Sequence, residues 1–164
     1  MAALTPGTTA PGISLKDSEG KTVSLAEALK KGPVLAVFFK VTCPTCQFTL
    51  PFLQRMYQMY GGGSVTFLGI SQNDEGDTRE FMREFGTEFQ VLIDDRGYPT
   101  SKQYGLTNVP SLFWIAPDGH IRATSIGFVK ADLQRIASEA AHAAGKAEQP
   151  LFKPGEVIPE YKPG

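Results

Sequence analysis

Val34-Leu35-Ala36-Val37-Phe38-Phe39-Lys40-Val41-Thr42-Cys43-Pro44-Thr45-Cys46 is the stretch on which the fold turns. Its first six residues are apolar without alternation, as expected of a strand buried on both faces. After the cysteines, Phe48, Phe52, Leu53, Met56 and Met59 recur at helical spacing, which predicts an amphipathic helix over Gln47–Tyr60 with a kink at Pro51. Cys43 and Cys46 are the only cysteines of the chain, and they sit between strand and helix. The free N–H groups and dipole of a first helical turn favour a thiolate over a thiol there. Two sulfurs at this spacing also close into one small disulfide ring. Both are therefore candidate catalytic residues.

Outward from this stretch the chain reads as alternating elements. Ile13–Leu15 and Lys21–Val23 flank a turn-rich Asp17-Ser18-Glu19-Gly20, which predicts a hairpin. Ser24 with Glu27 has capping-box spacing, so a short helix is expected over Leu25–Lys30. Val65–Ile70 reads as a second buried strand. A polar loop at Asn73–Asp77 leads to a helix at Thr78–Phe85. A short strand follows at Phe89–Ile93, then a brief helix at Pro99–Tyr104. Ser111–Ala116 and Ile121–Ile126 flank a Pro117-Asp118-Gly119 hairpin turn, and Ala131–Ala144 is the last helix, stopped by Gly145. This order implies an α/β class: a parallel part with right-handed crossovers, then an antiparallel hairpin, giving a mixed sheet with helices on both faces.

We read an extended arm over residues 1–11, one domain over 12–145 and a Pro-containing tail over 146–164. The tail is expected either to be disordered or strapped across the domain, or to dock through Leu151, Phe152, Val157, Ile158 and Tyr161 on the domain or a second subunit. The net charge of −1 gives no footprint for nucleic acid or an anionic membrane. No apolar run reaches the roughly 20 residues of a membrane span. The first ten residues lack the basic and apolar regions of a signal peptide. A cytoplasmic location is expected if this N-terminus is native, and a periplasmic or other extracytoplasmic one if a targeting segment once preceded it.

Four features together resemble a known family. They are the strand–Cys43-x-x-Cys46–helix passage; Pro51, five residues past the second cysteine; the insertion of a helix and a strand between Ile70 and Leu106; and Tyr104-Gly105-Leu106-Thr107-Asn108-Val109-Pro110-Ser111-Leu112-Phe113-Trp114-Ile115-Ala116-Pro117-Asp118-Gly119. The chain is similar over residues 10–144 to thioredoxin-fold thiol–disulfide oxidoreductases of the TlpA/ResA type, within the broad redoxin (AhpC/TSA) group. The resemblance implies a thioredoxin fold with an N-terminal hairpin and an extra strand–helix insertion. It implies that Cys43 is the nucleophile and Cys46 the resolving cysteine. It also implies a cis Val109–Pro110 bond facing the pair, and a substrate surface of Thr42, Pro44, Thr45, Val109 and Pro110. Protein disulfides or dithiols and an upstream redox partner are the expected partners, with no cofactor and no metal. The direction of electron flow depends on a reduction potential that sequence does not set.

Three positions depart from the family pattern. Thr42 stands where thioredoxins carry Trp, Val37 where they carry a buried Asp, and Thr49 where ResA-type proteins carry Glu. No carboxylate is thus in evident reach of the Cys46 proton. Lys40 would lower a thiol pKa if its ammonium pointed inward, although solvent is its expected side. The main rival is a peroxiredoxin-like peroxidase. Its Pro-x-x-x-Thr-x-x-Cys pattern would require Thr at Cys43 and Pro at Phe39, or Thr at Lys40 and Pro at Ala36, and neither register fits. A non-catalytic thioredoxin-fold binding module is the second rival, disfavoured by the intact cysteine pair. A zinc site would need four ligands, and only His120 and His142 remain to join the pair.

Overall fold

The computed structural model describes residues 2–164. At its centre is a five-stranded sheet in the order β5-β4-β3-β6-β7. β3 (Val34–Phe39) lies parallel to β4 (Thr66–Ser71), which is parallel to β5 (Gln90–Ile93). On its other side β3 runs antiparallel to β6 (Ser111–Ile115), which forms a hairpin with β7 (Ile121–Ile126). β1 (Ser14–Lys16) and β2 (Thr22–Ser24) make the predicted N-terminal hairpin. The helices are α1 (Leu25–Leu29), α2 (Pro44–Tyr60), α3 (Glu75–Phe85), α4 (Pro99–Gln103) and α5 (Lys130–Ala144).

β3 shows why an unbroken apolar run was needed. All six of its residues are buried, but they divide between two cores. Leu35, Val37 and Phe39 face a cluster that includes Leu50, Leu53 and Met56 of α2 and Leu133, Ile136 and Ala140 of α5. Val34, Ala36 and Phe38 face a second cluster with Ile13, Leu25 of α1 and Tyr104. The strand is therefore fixed from both faces, and so is the loop that leaves its C-terminal end with the cysteines. Gly69 of β4 sits where a valine methyl and aromatic rings converge: a Cβ there would lie 2.9 Å from Val91 Cγ2 and 3.2 Å from Phe89 Cε1.

Element boundaries differ from the sequence reading at informative places. α2 starts at Pro44, three residues before the expected start at Gln47, because proline suits a first helical position and Cys43 supplies the cap. α3 starts at Glu75, since the Asp74 carboxylate caps it by accepting the Asp77 N–H at 2.8 Å. Pro51 lies inside α2, which continues through it to Tyr60. A second small sheet was not anticipated: β8 (Phe128–Val129) pairs antiparallel with β9 (Tyr161–Lys162).

Both ends of the chain pack on the domain. The arm follows the edge strand β7: Gly7 N–H donates to Ile121 O at 2.8 Å and Ile121 N–H to Thr8 O at 2.9 Å, which covers an otherwise open edge. In the tail, Leu151 is buried, and Phe152 packs edge-on against Phe52, with ring centroids 5.1 Å apart. Ile158 packs on the same core, whereas Val157 and Tyr161 are exposed. The five apolar tail residues thus divide: the side chains of Leu151, Phe152 and Ile158 dock, and those of Val157 and Tyr161 do not. No helix among the described residues is long and apolar enough to cross a membrane.

Candidate active site

The turn after β3 brings the cysteines to the head of α2. Val41 N–H donates to Asn73 Oδ1 at 3.0 Å, and Gln47 Nε2 donates to Val41 O at 2.9 Å. These bonds tie the turn to the loop after β4 and to the helix itself. Cys43 caps α2: its sulfur accepts the Cys46 N–H at 3.1 Å, and its carbonyl accepts the Gln47 N–H at 3.0 Å. Asn73 and Gln47 were not singled out from sequence. The available signal was only that Asn73 lies in a polar run at a strand end, a place where side chains satisfy loop backbone.

Cys43 is partly exposed and Cys46 fully buried, and both are free thiols. Burial pushes the Cys46 thiol far above the usual range, and its hydrogen bond with the Cys43 sulfur pushes the same way. The Lys40 backbone amide and, more weakly, its ammonium charge act in the opposite sense. Lys40 itself is exposed, with Nζ 5.8 Å from the centre of the Tyr98 ring. Its charge is accordingly the weakest of the influences on Cys46.

The three atypical positions have definite surroundings. Val37 is buried in the main core. Thr49 is buried, and its hydroxyl donates to Thr45 O at 2.6 Å within α2. Thr42 is exposed beside Cys43. Among the described residues no carboxylate hydrogen-bonds to either sulfur.

Opposite the pair stands the loop before β6. Its Val109–Pro110 bond is cis. The Cys43 thiol donates to Val109 O at 3.5 Å. Ser111 Oγ donates to Asn108 O at 2.7 Å and Gly127 N–H to Pro110 O at 2.8 Å, so the loop is held on both sides. Of the expected surface, Thr42 and Pro44 are exposed and Val109 is half-buried, while Pro110 and Thr45 are buried. The Thr45 hydroxyl is already engaged, donating to Pro163 O at 2.6 Å. His120 lies just past the β6–β7 turn and His142 on α5, each on an element other than those carrying the cysteines. No cluster of metal-binding side chains occurs among the described residues.

A dithiol at a helix start, facing a cis-proline loop on a mixed sheet, defines a redox protein of the thioredoxin type. Residues 6–124 match the AhpC/TSA family, and the chain belongs to it. It is 30% identical over 123 residues to the thiol-disulfide oxidoreductase ResA of Bacillus anthracis, covering 74% of this chain and 69% of that one. A thiol:disulfide interchange protein of the thioredoxin family from Chlorobium tepidum TLS is 26% identical, with a TM-score of 0.68 over 85% of this chain and 99% of its own. The peroxidoxin BcpB of Mycobacterium tuberculosis superposes with a TM-score of 0.70 over 87% of this chain and 97% of its own; at 18% identity it shares the fold alone. The chain is a thiol–disulfide oxidoreductase with a thioredoxin fold.

Proposed function

We propose that this protein reduces disulfides in other proteins, with Cys43 attacking and Cys46 resolving. The observation that carries the assignment is the unequal exposure of the two sulfurs: Cys43 is partly exposed, and Cys46 is fully buried one turn along. The Cys43 thiolate attacks one sulfur of the partner disulfide, forming a mixed disulfide and expelling the partner's first thiolate. The Cys46 thiolate then attacks the Cys43 sulfur. That step closes the Cys43–Cys46 disulfide and releases the second partner thiolate, so two electrons pass to the partner. A dithiol donor upstream must then restore the reduced pair. Thr42, Pro44 and Thr45, which flank Cys43 in the chain, and Val109 and Pro110 of the facing loop are assigned to the surface that receives the partner chain, a reading supported by the Cys43–Val109 contact. Substrates of this kind persist where disulfides are stable, which favours an extracytoplasmic setting.

The roles are tested by trapping. Cys43→Ser is expected to abolish reduction of a model protein disulfide. Cys46→Ser is expected to accumulate a mixed disulfide through Cys43, seen as a mass shift that dithiothreitol reverses. Trapping by Cys43→Ser, with neither a mixed disulfide nor turnover in Cys46→Ser, would reverse the assignment. A peroxidase reading gains support only from hydrogen peroxide turnover that Cys43→Ser or Cys46→Ser removes.

A further inference from the structure

The surface beside Cys43 is already covered by a segment of the chain itself. β9 runs antiparallel to β8, with Val129 opposite Tyr161 and Phe128 opposite Lys162, and Lys130 N–H donates to Glu160 O at 3.0 Å. Pro163 then offers its carbonyl to the hydroxyl of Thr45, the second of the two residues between the cysteines. Gly164 lies so close to Val109 O that any side chain there would collide with it, and that same oxygen accepts from the Cys43 thiol. Gly127 makes the approach possible. It has φ +76°, and a Cβ on it would lie 2.7 Å from Lys162 O. Lys162 Nζ caps the Phe48 ring at 4.6 Å from its centre.

We infer that β8, Thr45 and Val109 form a docking site for an extended peptide, and that residues 159–164 are its intramolecular occupant, a strap that a substrate must displace. The inference rests on the proposed attack by Cys43. The tail is secured in two unequal halves. Residues 149–158 are anchored by buried Leu151, by Phe152 and Ile158, and by Arg55, which donates to Leu151 O and pairs with both oxygens of Glu156. Residues 159–164 bury no large apolar side chain and are held by the two-residue β8 pairing, the Lys130 N–H bond to Glu160 O, the Thr45 bond, the Gly164–Val109 approach, the Lys162–Phe48 contact and a Lys130–Glu160 pair at 3.8 Å with Glu160 82% exposed. An exposed pair of that kind contributes little, because solvent screens it. Release of the distal half therefore leaves the tether in place, and the short tether returns it at an effective concentration in the millimolar range. The occupant also states what the site accepts. It takes a strand antiparallel to β8, a main-chain carbonyl at Thr45, and a residue without a side chain against Val109.

The test compares the full chain with a form ending at Ile158, which keeps every anchor of the proximal half. In the Cys46→Ser background, iodoacetamide should alkylate Cys43 about three- to tenfold faster in the shortened form. With both cysteines present, KM for a protein disulfide should fall by a similar factor of about three to ten, with kcat unchanged. The free peptide Val157–Gly164 should slow alkylation of the shortened form. Equal alkylation rates in the two forms, with no effect of the peptide, would overturn the strap. Absence of protein-disulfide turnover in both forms would instead overturn the proposed function, and alkylation would still decide the strap.

Discussion

Cys46 carries the energetic tension of the site. In the proposed exchange it must lose a proton to attack Cys43, yet its burial, and next its hydrogen bond with the Cys43 sulfur, favour the neutral thiol. The positions where relatives keep an acid are here Val37 and Thr49, and the Thr49 hydroxyl is spent on Thr45 O. Resolution of the mixed disulfide is therefore expected to be slow at neutral pH and to accelerate about tenfold per pH unit while the thiolate is the minor form. Stopped-flow decay of a Cys43 mixed disulfide between pH 6 and pH 8 checks this, and a pH-independent rate would contradict it. Lys40→Ala should slow that decay only slightly, because the Lys40 charge is the weakest of the influences on Cys46. The same shift has a stability consequence. The folded-state pKa lies above the ordinary thiol value of about 8.5, so the unfolded chain releases its proton first as pH rises. Stability from this group is complete below about pH 8.5 and is lost above it. The urea midpoint of the reduced protein should fall between pH 8 and pH 10 more steeply than that of Cys46→Ser.

At the scale of elements, α4 is the least self-sufficient. Five residues are too few for a helix to stand alone in water, and it follows Tyr98, which has a left-handed φ of 53°. Asp94 holds it: the buried carboxylate accepts the N–H of Thr100 at 3.2 Å, the N–H of Ser101 at 2.9 Å and the Ser101 hydroxyl at 2.8 Å. Asp94→Ala strands those donors and is expected to cost about 2–4 kcal/mol in chemical denaturation, with Asp94→Asn milder. The elements legible in the sequence were those with a period or a run. Val34–Phe39 declared itself because burial on both faces removes every polar residue, and the last helix because its apolar stripe spans 15 residues. β8 and β9 declared nothing, since two residues carry no period and their partners lie 32 to 34 positions apart. Helix starts were read late at α2 and α3 for a shared reason: the first turn is chosen by capping and by proline rather than by the apolar stripe.

For the whole molecule, the reactive pair was legible because its chemistry is local, a strand end and a helix start within a few residues. What covers it was not, because Thr45 meets Pro163 across 118 positions and neither residue advertises the other. The tail's composition, proline-rich and aperiodic, fits a disordered segment as well as a strap. The anchors alone separate these, and they can be weighed one by one. Leu151 is 3% exposed and packs in the same core as Leu53, Met56 and Ala140, whereas Val157 is 96% exposed. A tail adsorbed loosely would respond alike to truncation at either site. A tail built into the core would not: Leu151→Ala removes buried methyl groups and opens a cavity, costing about 2–4 kcal/mol, while Val157→Ala stays within about 0.5 kcal/mol. Arg55→Ala should fall between, at about 1–2 kcal/mol, since it removes hydrogen bonds to Leu151 O and Glu156 that are partly open to solvent. Urea unfolding of the three variants orders them. Equal midpoints for Leu151→Ala and Val157→Ala would mean that the core closes without residues 149–158, and that order would also remove the tether on which a releasable strap depends.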